Sequence, residues 1–169
     1  MLNLLSSPKT LFDFVPDADL TAWYILDDVV MGGRSGGSLK LNAEGYAEFS
    51  GYVSLENNGG FSSVRYRFNA EDVKDFTTVR MRVKGDGKRY QFRVKDSYNS
   101  YYSYIQYFET DTEWETIDIK LEDMYPSFRG RRLNFGNFSS SQIEELSILI
   151  SNKKNESFEL LIDKIELIP

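Results

Sequence analysis

Val79-Arg80-Met81-Arg82-Val83-Lys84-Gly85-Asp86-Gly87-Lys88-Arg89-Tyr90-Gln91-Phe92-Arg93-Val94-Lys95 alternates apolar and polar residues on both sides of a Gly-Asp-Gly break. Alternation with period two marks a strand buried on one face, because successive side chains leave a pleated backbone in opposite directions. Val79, Met81, Val83, Tyr90, Phe92 and Val94 therefore point inward. Arg80, Arg82, Lys84, Arg89, Gln91, Arg93 and Lys95 point outward. Read as a hairpin turning at Asp86-Gly87, the stretch opposes Val83 to Tyr90, Met81 to Phe92 and Val79 to Val94. The same register sets Arg80 against Arg93, a like-charge pair that weakens a sheet by about a few tenths of a kcal/mol. Either acids from a third strand neutralise the pair, or an anionic partner does.

Similar segments recur along the chain with turn residues between them, at 23–26, 38–41, 47–54, 61–68, 77–83, 90–95, 101–108, 116–121, 146–150 and 158–167. Only 140–145 reads as a short helical turn, entered by serines and carrying Glu144 and Glu145 early. This spacing predicts an all-β jelly-roll β-sandwich of about ten strands with at most one short helix. With no repeat, low-complexity tract or Pro-rich linker, residues 1–169 read as a single domain.

A second hairpin is expected around Asn58-Gly59, setting Val53 by Val64, Phe49 by Phe68 and Gly51 by Tyr66. A turn at Gly59-Gly60 shifts the partners and keeps each residue on its face. Phe61, Ser63, Arg65 and Arg67 then share the outward face, with Tyr52 near Arg65. Nothing in core packing calls for Arg65; its planar fork suits a carboxylate or a ligand. In the aromatic stretch 101–108, Tyr102, Tyr104, Gln106 and Phe108 share one face, and Tyr101, Ser103, Ile105 and Tyr107 the other. Such rings can stack on a sugar or a protein side chain, or simply suit a half-buried strand.

Composition narrows the chemistry. The 169 residues contain no His and no Cys, so the commonest general base and transition-metal ligand are missing, and thiolate and disulfide chemistry with them. No cofactor or metal site is expected. Asp27-Asp28 could hold a hard cation such as calcium or serve a turn. Gly32-Gly33-Arg34-Ser35-Gly36-Gly37 fits neither nucleotide-binding fingerprint. A formal net charge of -6 argues against nucleic acid, and no apolar run is long enough for a helical membrane span. Charge is uneven: seven cations at 80–95 face one acid, Asp86, while seven acids at 109–123 face Lys120 alone. The start of the chain lacks the basic stretch of a leader, so a cytoplasmic location is expected.

Two strings, Asp27-Asp28-Val29-Val30-Met31-Gly32-Gly33-Arg34-Ser35 and Asn58-Gly59-Gly60-Phe61-Ser62-Ser63-Val64-Arg65, resemble signatures of the complex I intermediate-associated protein 30 family. The likeness runs in order over residues 23–168. It takes in Trp23, Gly85-Asp86-Gly87 followed by Tyr90, the aromatic strand 104–108 with Trp114 and Ile117, Phe128-Arg129-Gly130, and closing strands at 143–153 and 158–167. Asn155-Glu156-Ser157 departs from the Gly or Pro that often precedes the last Phe. The resemblance implies a galactose-binding-like jelly roll, and the lack of a targeting segment makes a stand-alone bacterial-type member the expectation. It also implies a non-enzymatic protein-binding factor resembling assembly chaperones of respiratory NADH dehydrogenase, with subunits of that complex as partners. The alternative is a carbohydrate-binding protein holding a glycan on a concave sheet. An enzyme is disfavoured, since neither Ser35 nor Ser63 has a conventional activating base. Candidate contact residues are Arg65, Ser63, Phe61, Arg80, Arg93, Gln91, Tyr104, Gln106 and Tyr52.

Overall fold

Apolar residues at every second position make strands, and burying their apolar faces against one another stacks the strands into two sheets. The computed structural model describes residues 7–169, and the side chains of Val30 and Met31 lie outside the described set. The opening residues read for a leader fall mostly in residues 1–6, which are also outside it. Among the described residues the strands are β1 (Lys9–Asp13), β2 (Trp23–Asp27), β3 (Gly36–Leu41), β4 (Ala47–Val53), β5 (Ser62–Asp72), β6 (Thr78–Lys84) and β7 (Arg89–Lys95). They continue as β8 (Ser103–Glu109), β9 (Trp114–Lys120), β10 (Tyr125–Phe128), β11 (Arg131–Arg132), β12 (Gln142–Ile150) and β13 (Glu156–Ile168). Single 3-10 turns are the only helical pieces among those residues.

A six-stranded sheet runs β3-β4-β13-β6-β9, with β1 also on β13. A seven-stranded sheet runs β11-β10-β8-β7-β12-β5-β2. All pairings are antiparallel, and the chain passes repeatedly from one sheet to the other, giving an all-β jelly-roll sandwich. Phe49, Met81, Ile162 and Ile165 from one sheet and Phe92, Leu146, Ile148 and Ile150 from the other are fully buried between them. Each such side chain contributes about 1.5–3 kcal/mol relative to leaving it exposed.

Both expected hairpins are instead crossings between sheets. β6 pairs with β13 and β9, whereas β7 pairs with β8 and β12. Val83 and Tyr90 thus face one core from opposite layers. The inward and outward faces are as expected, because the pleat sets them; the neighbours are not, because an inward-facing apolar row looks the same beside or across from its partner. Gly85-Asp86-Gly87 is built for the crossing. A Cβ on Gly85 would fall 2.2 Å from Thr110 Cβ, and Gly87 has φ +80°. Asp86 accepts the Tyr90 hydroxyl (3.0 Å) and the Glu159 N–H of β13 (2.8 Å), tying both sheets to the arch.

The Arg80/Arg93 pair therefore does not exist. Arg80 lies between Glu166 of β13 and Asp118 of β9, with a two-pronged contact to Asp118 at 2.8 and 3.0 Å. Acids at 109–123 balance it, the first of the two alternatives left open by the sequence. Arg93 is in the other sheet, beside Ser147 and Ile105. Likewise β4 and β5 belong to different sheets: Phe49 pairs with Leu39 and Leu160, and Val64 with Ile25 and Ile148. Tyr52 stands on the outer side of the six-stranded sheet, away from Arg65.

The helical turn expected at 140–145 is the start of β12. That strand is hydrogen-bonded on both sides, to β5 and β7, and its buried Ile143, Leu146, Ile148 and Ile150 override the helix preference of the two glutamates. Strands β1, β10 and β11 were not expected. Each is short, β1 and β11 lie at sheet margins with β10 next to β11, and Pro126 interrupts the pattern of β10.

Burial, reinforced by the Asp86 charge and hydrogen bond, pushes the Tyr90 hydroxyl far above its ordinary pKa of 10.0. Burial, with the Tyr102 hydroxyl, does the same to Tyr104. A group raised in the folded state stabilises the fold fully below its unfolded pKa and loses that contribution as pH climbs. The melting temperature is therefore expected to fall once pH passes about 10, with the tyrosinate absorbance of Tyr90 and Tyr104 appearing only on unfolding. Early titration of these rings at a constant melting temperature would refute it.

Candidate functional site

The two glycine-rich strings converge on one carboxylate. Asp28 is 1% exposed, just past the end of β2, and accepts the N–H groups of Ser35 (2.9 Å), Gly60 (2.6 Å) and Phe61 (3.2 Å) together with the Ser35 hydroxyl. Ser35 Oγ in turn accepts the Ser54 N–H at 2.9 Å. Burial alone would raise the Asp28 pKa, but these donors outweigh it and hold the carboxyl below the ordinary 3.8. A Cβ on Gly33 or Gly59 would fall 2.3 or 2.5 Å from Asp28 carboxylate atoms, so only glycine lets the loops close on it. Asp27 accepts the Gly37 N–H (2.9 Å) and the Ser62 hydroxyl.

N–H and O–H donors surround an anion; a hard cation would need oxygen acceptors there instead. The turn role left open for these aspartates is the one the geometry supports. Phe61 contributes its backbone to the same knot, and Asn58 is an exposed residue with φ 59° at its rim.

The outer face of the seven-stranded sheet brings the remaining candidates together. Registers give three rows across the strands. One reads Tyr125, Ile105, Arg93, Ser147, Arg65, Tyr24. The next reads Tyr107, Gln91, Leu149, Ser63, Leu26. The third sets Lys95 beside Glu145 and Glu145 beside Arg67. Although these side chains face away from the core, Gln91, Ile105, Glu145, Ser147 and Leu149 are at most 5% exposed. Ile105 and Leu149 stand apart from the core cluster and floor a polar cleft. Tyr104 is not in this cleft: it points inward and packs edge-on against Phe138. Gln106, opposite Phe92, also faces inward. Of the candidates, Arg65, Ser63, Gln91 and Arg93 meet here; Arg80 and Tyr52 lie on the opposite sheet.

Glu145 is the acid at the centre. It accepts the Tyr24 hydroxyl (2.8 Å) and Arg67 Nε (2.9 Å), with Arg65 Nη1 at 3.8 Å. Arg93 has no carboxylate partner among the described residues. Its Nε (2.9 Å) and Nη2 (2.6 Å) both donate to Gln91 Oε1. Burial and the nearby Arg65 charge depress its pKa to about 10. Burial likewise lowers Lys95, whose ammonium donates to the Ser100 carbonyl at 2.8 Å. The buried Arg65 Nε has no hydrogen-bond partner among the described residues. Arg89 lies over Tyr107 at 4.3 Å and Arg132 over Tyr125 at 4.6 Å. Between them Gln91, Arg93, Ile105, Tyr107, Tyr125, Ser127 and Arg132 line a recess of about 210 Å3.

Sequence reasoning missed Glu145, Ser147, Tyr24, Tyr107, Tyr125 and Arg132 as site residues. Reading 140–145 as a helical turn hid Glu145 from the outward row that Ser147 and Leu149 continue; alternation through β2 would have exposed Tyr24.

Two layers of antiparallel strands with a cleft across one outer face define a jelly-roll sandwich of the kind found in carbohydrate-binding modules. The family 11 module of Clostridium thermocellum, solved with a β-1,3-1,4-mixed-linked tetrasaccharide, superposes with a TM-score of 0.71 at 17% identity, covering 95% of each chain. An agarase matches 96% of this chain with 24% of its own length, at TM-score 0.66 and 13% identity. At these identities the likeness is one of fold. The chain belongs to the Complex I intermediate-associated protein 30 (CIA30) family, whose profile matches residues 12–162. It is 23% identical to the mitochondrial Complex I intermediate-associated protein 30 of Mus musculus, over 96% of this chain and 56% of that protein. The chain thus spans about half the length of that relative.

Proposed function

We propose that this chain is a non-catalytic binding factor that holds partner proteins on the outer face of its seven-stranded sheet, and that those partners are respiratory complex I subunits under assembly. Family membership and the mouse relative's name support the partner class. One observation supports the surface: the sheet buries Gln91, Glu145 and Ser147 outside the core, in a cleft the sandwich does not need for its own packing. Nucleophilic chemistry has little to work with. The hydroxyls of Ser35 and Ser63 donate to Asp28 and to the Leu26 carbonyl.

Affinity capture with mild cross-linking from the source cells tests this. Complex I subunits are expected with the native chain and with Arg80→Glu, which alters the other sheet. They are expected to be lost when exposed Arg89 and Arg132 are both reversed to Glu in a folded variant. Equal recovery from all three would overturn the surface assignment. A glycan is the second reading, favoured by the shared fold and the tyrosines of the cleft; binding to a neutral glucan abolished by Tyr107→Ala would bring it forward.

A further inference from the structure

Resting on the reading that this cleft is the binding surface, we infer that the recess formed by Gln91, Arg93, Tyr107, Tyr125, Ser127 and Arg132 is a carboxylate pocket, and that its occupant is an acidic side chain of a partner protein.

Charge at the centre of this face is unbalanced. Four cations, Arg65, Arg67, Arg93 and Lys95, share it with one acid among the described residues, Glu145. Glu145 serves Arg67 directly and Arg65 at longer range, leaving Arg93 with a neutral amide oxygen. A recessed guanidinium normally finds a carboxylate, since charge-assisted two-pronged contacts are among the strongest available to it. Arg93 Nη1 has no protein partner among the described residues. Ser147, with a short side chain, lies between Arg93 and Arg65 and leaves the two cations unscreened by bulk. Arg132 at the rim adds a third guanidinium.

A protein acid fits better than a sugar. A neutral sugar stacks on an open ring face, and each of the two wall tyrosines already has a guanidinium over its ring. The net charge of -6 repels polyanions at long range, so binding of an acidic chain must come from a local site rather than from the whole surface.

Titration calorimetry with a short capped polyglutamate peptide, and with polyglutamine of equal length, tests the pocket. Polyglutamate alone is expected to bind, more weakly as salt rises. Arg93→Met is expected to lower its affinity about tenfold or more, against about threefold or less for Arg80→Met on the opposite sheet. Gln91→Glu is a second variant that keeps shape. It sets a carboxylate of the chain itself against Arg93, and is expected to raise the melting temperature while abolishing peptide binding.

Equal binding of the two peptides would overturn the proposal, as would undiminished affinity in Arg93→Met. Uptake of polygalacturonate in place of polyglutamate would also overturn it, moving the carboxylate onto a glycan. If polyglutamate fails while Arg89 and Arg132 reversal still releases complex I subunits, the pocket falls and the wider function stands. If polyglutamate binds but those subunits are not captured, the pocket stands and the wider function falls.

Discussion

Asp28→Asn is expected to destabilise the domain by about 3 kcal/mol or more, a large share of the roughly 5–15 kcal/mol that holds a domain folded. The native carboxylate accepts three N–H groups and one hydroxyl while 1% exposed. An amide keeps one accepting oxygen and presents an NH2 group in place of the other. With either orientation of the amide, at least one buried N–H is left facing a donor. Denaturant unfolding should show the midpoint falling with an unchanged slope. Because Asp28 is held below its ordinary pKa, its contribution is present above about pH 3.8 and disappears as pH falls through the folded value. The variant should therefore lose part of the native protein's acid sensitivity. A loss under about 1 kcal/mol would mean that the two loops close without this carboxylate.

Glu145→Gln is expected to lose about 3 kcal/mol as well, for an electrostatic reason. Glu145 is 2% exposed and is the one acid among Arg65, Arg67, Arg93 and Lys95. The amide still accepts from Tyr24 and Arg67, so hydrogen bonding to Oε1 survives; what goes is the neutralising charge. Burial, with the Glu145 hydrogen bond and charge, raises the pKa of Tyr24. Removing the charge should let Tyr24 ionise at lower pH, a shift that a generally loosened fold would not confine to one ring. With an additional unbalanced cation, the same variant should bind polyglutamate more tightly than the native chain. Unchanged stability together with unchanged Tyr24 titration would refute this account of Glu145.

The two variants separate roles that look alike in sequence. Asp28 and Glu145 are both acids near strand residues, and neither has unusual neighbours. Asp28 lies inside the signature strings, yet its task is to fasten two loops. Glu145 lies outside them, in a segment whose Glu-Glu pair suggests a helix, yet it sits at the centre of the cleft. The signature glycines follow the same logic: Gly33, Gly59 and Gly85 are glycine because a carboxylate or a threonine from elsewhere in the chain occupies the space of a Cβ.

Alternation by itself determined the longer strands and the facing of Val79, Met81, Val83, Tyr90, Phe92 and Val94, because the direction of a side chain from a pleated backbone is a local property. The absence of His and Cys by itself narrowed the chemistry. Only the tertiary structure decided that β6 and β7 part into different sheets, that Arg80 finds Asp118 while Arg93 finds no acid, and that Asp28 joins Ser35 to Gly60. Those are pairings between residues far apart in the chain, chosen by how two whole faces pack, and no local period carries that information.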